Sequence, residues 1–371
     1  MTAKYNIRLA AGQDLDSLVK LEEAAYEKDR FTHDQILYLL TKSRSTTLIV
    51  ENNSSAVGGA YILLSRLHHG ARLYNIAIDP AYQGQGIGYD LLKECELEAA
   101  RHGCKKMTLE VRTDNEGAIK FYKKMGYNIL RQIPDYYLDG TAALKMAKEI
   151  DIDLPSQVKY KVPYYFQTVE FTCGPSCLMM ALNYYNPEIE LSRALEMTIW
   201  KEATLIYMAS GFGGADGYGL ALSALNRGLT CHLVTSMDKT PMLKSVRSPE
   251  KREVMKIVHA DLKRKAKRSG LTNAIYEFGM EEIIAALYRN VLPIVLISTY
   301  RLTGDRIPHW VVVTGFDKEH FFIHDPDLVS YKNRQARARN LRIEKSEFLR
   351  MARYGKEVYR CLILIGKKGS I

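Results

Sequence analysis

The sequence predicts two folding units: a mixed sheet flanked by helices over residues 1–150, and a helix packed on an antiparallel sheet over residues 151–371, an α/β unit followed by an α+β one. Three observations carry this. The chain has 371 residues, too many for one ordinary core. In the first half, strand-like runs alternate with helical stretches and meet at a glycine-rich junction, Ile76–Gly88. In the second, an apolar helix opens at Thr172-Cys173-Gly174-Pro175, and a strand–turn–strand pair, Pro308–Phe316 and Phe321–Pro326, lies far downstream.

Residues 5–10 read as a first strand and Asp14–Tyr26 as an amphipathic helix, with Leu15, Leu18, Val19 and Leu21 or Glu22 around its turns. Thr32 is placed to cap a helix running through Leu40. Thr46–Glu51 and Ala56–Leu64 are strands joined by the polar turn Asn52-Asn53-Ser54-Ser55. Ile76 and Ile78 belong to the next strand, which Asp79-Pro80 ends. Glycines at 84, 86 and 88 then open a helix marked by Leu91, Leu92, Cys95 and Ala99, with Gly103 as its stop. Such a turn lets backbone N–H groups converge on an anion at the positive end of the helix dipole. No Gly-Lys-Ser/Thr follows, and the spacing is wrong for a dinucleotide fingerprint.

Met107–Arg112 alternates apolar and polar, leaving Glu110 on the polar face. From Asn115 a helix carries Ala118, Ile119, Phe121, Tyr122 and Met125 to Gly126. On spacing alone, Glu110 reads as a carboxylate on a wet sheet face and Tyr122 as a core aromatic. Lys148–Val162 is polar and aperiodic and reads as the linker.

In the second half, Cys173 falls at a helix N-terminus, a position that favours a thiolate, and Gln167 lies six residues earlier, able to return an amide N–H to the same spot. The downstream hairpin brings His309 near Asp325, with His324 and Asp327 as alternatives on the return strand. Thiol, imidazole, carboxylate and an oxyanion donor are the set a thiol hydrolase needs. Gly211–Gly219 reads as a flexible loop, Met280–Asn290 as a helix, Pro293–Thr299 as a buried strand, Lys345–Tyr354 as a helix and Val358–Ile365 as a final strand.

Composition narrows the function classes. At 47% apolar and 25% charged residues the chain reads as folded. No apolar run reaches the ~18 residues of a membrane span, and the N-terminus lacks the apolar stretch of a secretory signal. Six scattered cysteines form no disulfide framework, and Cys173-x-x-x-Cys177 alone is a weak metal signal, so a reduced, cytoplasmic protein without a metal is expected. The first 150 residues hold 20 Lys and Arg against 19 Asp and Glu, and the rest 32 against 23. That basic excess, concentrated in Lys244–Arg268 and Lys332–Arg342, leaves a nucleic-acid partner open. A solvated basic helix explains the first run more simply, since no aromatic residue interleaves it.

Gln83-x-x-Gly86-x-Gly88 after a strand resembles the pyrophosphate loop of the GNAT acetyltransferase superfamily. Leu109-Glu110-Val111-Arg112, Asn115 and Phe121-Tyr122-Lys123-Lys124-Met125-Gly126-Tyr127 look like the ribosomal-protein alanine N-acetyltransferase family. The resemblance implies the GNAT fold and acetyl-CoA as co-substrate. The backbone of Ile76, Ala77 and Ile78 would hold it, with the turn Gln83, Gly84, Gln85, Gly86, Ile87 and Gly88, and with Asn115. It also implies Glu110 as general base, Tyr122 as general acid and, less specifically, Arg131 and Tyr136-Tyr137 beside the acceptor. The acceptor would be the N-terminal amine of a peptide or protein, a ribosomal protein among the candidates.

Residues 158–330 resemble the bacteriocin-processing double-glycine peptidase family, which has a papain-like fold. This implies Cys173 as nucleophile, His309 as its base, Asp325 as orienting carboxylate and Gln167 as oxyanion donor. Two departures stand out: no membrane segment is found, and the basic run Lys244–Arg268 is not recognised as part of that family. Two other readings follow from the same residues: a transferase carrying an inactive peptide-binding module, and a basic ribosome- or nucleic-acid-associated protein.

Overall fold

A computed structural model of the chain describes residues 5–367 and 370, apart from 28, 42–43, 54, 66–68, 209–210 and 333–334. Ser54 of the first polar turn and Arg334 of the second basic stretch therefore lie outside the described residues. The chain divides into two compact units, Met1–Leu154 and Pro155–Ile371.

The first unit contains β1 (Asn6–Leu9), α1 (Leu15–Ala25), α2 (His33–Thr41), β2 (Ser45–Asn52), β3 (Ser55–Ser65), β4 (Gly70–Ile78), α3 (Ile87–Arg101), β5 (Lys106–Arg112), α4 (Glu116–Lys124), β6 (Asn128–Ile133) and β7 (Ala143–Glu149). Among the described residues they form a mixed sheet ordered β1-β2-β3-β4-β5-β7-β6. Helices cover both faces, as alternating burial requires. Leu91, Leu92, Cys95 and Ala99 of α3 pack with Leu48, Val50, Ala60 and Ile62, whereas Leu18, Ile36 and Leu39 of α1 and α2 pack with Ile49 and Tyr61. Thr32 caps α2 as expected: its hydroxyl accepts from the Gln35 N–H at 3.3 Å and the Gln35 side chain accepts from the Thr32 N–H at 2.8 Å.

Two irregularities position the site. β4 and β5 are the parallel pair, and their ladder runs only from Gly70↔Lys106 to Arg72↔Thr108. Beyond it the two strands go on without pairing each other. On its other side β4 pairs Asn75 with Tyr61 and Leu73 with Ile62, so Tyr74 is an extra, bulged residue.

The second unit contains β8 (Val158–Lys159), α5 (Cys173–Tyr185), α6 (Arg193–Ala203), β9 (Tyr207–Met208), β10 (Gly211–Phe212), α7 (Gly217–Leu225), β11 (Thr230–Thr235), α8 (Pro249–Arg268), β12 (Thr272–Ile275), α9 (Met280–Tyr288), β13 (Leu292–Ser298), α10 (Tyr300–Thr303), β14 (Pro308–Phe316), β15 (His320–His324), α11 (Gln335–Ala338), β16 (Leu341–Glu344), α12 (Lys345–Met351) and β17 (Cys361–Gly366). Among the described residues its main sheet runs β12-β11-β17-β13-β14-β15-β16, with β8 added on β14. It is antiparallel except for β11 beside β12. α5 packs on one face against Ile294, Leu296, Trp310 and Val312. The alternating residues Val295, Ile297, Val311 and Val313 meet Ile283, Leu287 and Phe348 of α9 and α12 on the other.

The structure corrects three readings. Part of the expected linker is strand: Lys148 and Glu149 end β7, and Val158–Lys159 pair with Phe316 and Gly315. A two-residue strand has no period to detect, and a missing side chain admits this one. A Cβ on Gly315 would lie 2.2 Å from the Val158 carbonyl oxygen. Nor is Gly211–Gly219 a flexible loop. Gly211–Phe212 pairs with Tyr207–Met208. Gly217–Gly219 already belong to α7, because the Asp216 carboxylate caps it, accepting from the Tyr218 and Gly219 N–H groups at 2.8 and 3.3 Å. The final strand starts at Cys361, after Val358 turns the chain at φ 53°.

Replacing Gly315 by Ala is expected to force β8 off β14 at a cost of about 1–3 kcal/mol. Chemical denaturation should register the lost stability, and amide exchange should show the Tyr160 N–H, bonded at 2.8 Å to the Thr314 carbonyl, losing protection.

Candidate active sites of the two units

In the first unit, the opening between β4 and β5 and the turn into α3 are adjacent in the chain. Gly84 and Gly86 take φ of +75° and +85°, and no other atom lies within 4 Å of where their Cβ atoms would stand. A side chain there would be strained and would intrude on that space. Gly86 is the N-cap of α3, so the N–H groups of its first turn, from Ile87 and Gly88, have no intrahelical acceptor. The Gln83 and Gln85 amides, expected to face a cofactor, donate to the Ile78 and Ala81 carbonyls at 3.3 and 3.4 Å and brace the turn. Asn115 caps α4, its Oδ1 accepting from the Ala118 N–H at 3.0 Å, and the Ile76 carbonyl accepts the Tyr26 hydroxyl at 2.6 Å.

Glu110 lies on β5 with its side chain 8% exposed. Both oxygens are paired: Oε2 with Arg72 Nε at 2.7 Å and Oε1 with Lys145 Nζ at 3.4 Å. Arg72 also donates to the Tyr136 hydroxyl at 2.7 Å. Tyr122 on α4 is buried against Tyr127 and Phe121. Burial pushes its phenol up, with Cys95 and Tyr137 adding to the shift. Tyr137 interacts electrostatically with both Tyr122 and Glu110, the two expected acid–base residues.

Sequence reasoning missed a second carboxylate. Glu22 is 1% exposed; Asn75 Nδ2 donates to its two oxygens at 2.8 and 3.0 Å, and the Phe31 N–H donates to Oε2 at 3.2 Å. Burial pushes it up to about 7, against the hydrogen bonds from Phe31 and Asn75. Its signal was an acidic residue on the apolar stripe of α1.

In the second unit, the antiparallel hairpin sets the start of β14 beside the end of β15. His309 Nε2 donates to Asp325 Oδ1 at 2.7 Å, with the two side chains 6% and 3% exposed. Asp325 is held on every side. Its Oδ1 also accepts from the Asp327 N–H and its Oδ2 from the Tyr331 hydroxyl, both at 2.9 Å, while its carbonyl accepts from the Tyr164 hydroxyl at 2.8 Å. Cys173, the first residue of α5 and 5% exposed, interacts electrostatically with the imidazole. With Nε2 committed to Asp325, Nδ1 is the nitrogen left for sulfur. Burial alone would push His309 down, but Asp325 and then Cys173 outweigh it and hold the imidazole well above its ordinary value. Burial likewise opposes the Asp325 charge, and His309 overrides it, holding the carboxyl low.

The alternatives occupy other places. His324 donates from Nε2 to the Val162 carbonyl at 3.0 Å and accepts the Asn340 N–H on Nδ1, and burial pushes it down to about 4. Asp327 bonds Ser330. Cys177 donates to the Trp310 carbonyl at 3.2 Å. Gln167 donates its amide to the Glu170 carbonyl at 3.3 Å, inside its own loop, and its Oε1 is buried without a partner. That loop is fastened by Glu196, which accepts from the Thr168 N–H at 2.8 Å, the Thr168 and Thr172 hydroxyls at 2.7 and 2.5 Å, and the Tyr165 hydroxyl at 3.1 Å. A lone glutamate in a helical stretch gave no sequence signal for this.

A family model described as Acetyltransferase (GNAT) family matches residues 15–127, and one described as Peptidase_C39 like family matches residues 162–366, more than half of the chain. An uncharacterized N-acetyltransferase of Methanocaldococcus jannaschii is 32% identical over 144 residues, 38% of this chain and 90% of that protein. A ribosomal-protein-alanine N-acetyltransferase of Escherichia coli is 42% identical over 67 residues, 18% of this chain and 45% of that protein. The crystal structure of such an enzyme from Escherichia coli aligns at 27% identity over 40% of this chain and 96% of its own, with a TM-score of 0.37. The chain is thus a GNAT N-acetyltransferase in its first part, and through residues 162–366 it belongs to the Peptidase_C39 like family.

Proposed function

We propose that the first unit transfers an acetyl group from acetyl-CoA to the N-terminal amine of a peptide or protein, and that the second is a papain-type thiol site that cleaves peptides. The opened β4–β5 ladder beside the glycine turn supports the first half of this reading. The Cys173–His309–Asp325 alignment supports the second. The E. coli relative is named for acetylating a ribosomal-protein alanine, and a protein acceptor is carried over from it.

The residues present fit acetyl-CoA. Gly84 and Gly86 leave the turn open, the first-turn N–H groups of α3 suit a pyrophosphate, and the β4 edge suits an extended amide-bearing chain. Acetyl-CoA, when bound, supplies the acetyl group as a thioester. A peptide amine with a pKa near ~8 must shed a proton before it attacks. Glu110 takes that proton, directly or through water, by displacing Arg72 or Lys145 from one oxygen. Tyr122, whose burial keeps its phenol protonated, donates toward the departing sulfur.

In the second unit His309 takes the Cys173 proton on Nδ1 and returns it to the leaving amine, while Asp325 holds the ring on Nε2. Gln167 uses one amide N–H on the Glu170 carbonyl at 3.3 Å, and its second N–H is the one to donate to an oxyanion.

Mass spectrometry of peptide N-termini after incubation with acetyl-CoA tests both halves. Glu110→Gln and Tyr122→Phe are each expected to slow acetylation by roughly 10²-fold or more while leaving new termini unchanged. Cys173→Ala is expected to abolish new termini and leave acetylation intact. Acetylation without any cutting by the native protein would leave the second unit a peptide-binding module. Alkylation of Cys173 by iodoacetamide reports on the pair without a known substrate. Because Asp325 holds the His309 charge, Asp325→Asn is expected to slow labelling near pH 6 about 10-fold or more. An unchanged rate would remove Asp325 from the site.

A further inference from the structure

Glu22 is a buried carboxylate that the reaction as drawn does not use. The groups facing it are the Asn75 amide on β4, the Phe31 N–H after α1, and the Tyr26 and Tyr61 phenols, whose shifts both include its charge. Among the described residues no cation is paired with it. Asn75 passes the contact on, since its Oδ1 accepts the Tyr26 hydroxyl at 2.7 Å, and that hydroxyl also meets the Ile76 carbonyl at 2.6 Å. Tyr26 in turn interacts with Tyr122 and Tyr137. Asn75 adjoins the bulged Tyr74, where β4 has already left β5. A chain of hydrogen bonds therefore runs from Glu22 through Asn75 and Tyr26 to the Ile76 carbonyl at the edge of the opening, and Tyr26 acts electrostatically on Tyr122.

We propose that Glu22 is a positioning residue for acetyl transfer: through Asn75 it fixes the Tyr26 hydroxyl and the open edge of β4 beside Tyr122, and it does so only while its carboxylate is ionised. Every contact it makes is as an acceptor. Protonating one oxygen turns an acceptor into a donor facing the Asn75 N–H. A hydrogen on either oxygen meets the Asn75 N–H and breaks the two-oxygen hold on Nδ2, so the amide that presents Oδ1 to the Tyr26 hydroxyl is no longer fixed from behind. Burial places this transition near neutral pH, so uptake of one proton would loosen the site within a physiological range. The inference rests on the transferase reading and does not depend on the identity of the acceptor.

The test is the acid limb of kcat/KM for a mixture of unblocked peptides, followed by release of the coenzyme A thiol between about pH 5.5 and 7. Two protons must leave in the native protein, one from the amine and one from Glu22, so log kcat/KM should climb with a slope of about two. In Glu22→Gln, which keeps an amide oxygen for Asn75 and cannot titrate, the slope should fall to about one. Tyr26→Phe, which cuts the link but leaves the carboxylate, should also give about one, and it decides the matter if Glu22→Gln does not fold.

Linkage supplies a second readout. A carboxyl raised in the folded state costs stability progressively as pH climbs from its unfolded value to its folded one, so Glu22→Gln should gain melting temperature relative to the native protein at about pH 8 compared with about pH 5. A native slope of about one, or an equal slope in all three proteins, overturns the Glu22 assignment and leaves the transferase reading standing. A native protein that acetylates no amine overturns both.

Discussion

Taking an ionisable group out of water costs more than any single contact returns, and both units are organised by how that cost is met. In the second unit, His309 and Asp325 are enclosed together, and each is tolerable only because the other is there. Tyr331, Asp327 and Tyr164 then close the remaining acceptors of Asp325. The register of the β14–β15 hairpin, the path of the chain after Asp325 and the start of α5 all converge on that pair. In the first unit Glu110 is compensated by cations and Glu22 by amides. The former arrangement secures a charge, whereas the latter leaves it conditional.

Backbone hydrogen bonding adds the complementary constraint. Once β4 parts from β5 after Arg72, its edge groups need partners, and the Tyr26 hydroxyl supplies one to Ile76. The opening is thus built from the same residues that would have continued the sheet. Residues such as Gln83, Gln85 and Asn115, which a motif assigns to a ligand, also brace their own loops. Bracing and binding are compatible where one atom serves each, as the Asn115 carbonyl and amide groups illustrate.

Much of this was legible in the sequence. The alternation of Met107–Arg112 places Leu109 inside and Glu110 on the other face, and the helix after the glycine turn buries the residues its period names. Cys173, His309 and Asp325 come together as their spacing around a helix start and a hairpin suggests. What could not be read has physical reasons. The β8 strand is two residues long, and its docking depends on an absent side chain at Gly315. The partners of Glu110, Arg72 and Lys145, come from neighbouring strands, and sheet order is a tertiary fact. Glu196 is a single acid on a helix, where sequence gives a surface expectation and only packing reveals a buried role, and Glu22, though on the apolar stripe of α1, finds its partners Asn75 and Phe31 only in the tertiary fold.

The cysteines have a consequence of their own. Cys95, Cys177, Cys231 and Cys361 are enclosed, and burial pushes each thiol up, so they keep their protons. The sulfur set beside a base is Cys173. A passing oxidant therefore meets the two units unequally: peroxide has a preferred target at the thiol site, while the chemistry assigned to the acetyl-transfer site uses no sulfur of the chain. On the reading proposed above, oxidation of Cys173 would silence peptide cleavage and leave acetyl transfer untouched, without any further device to separate them.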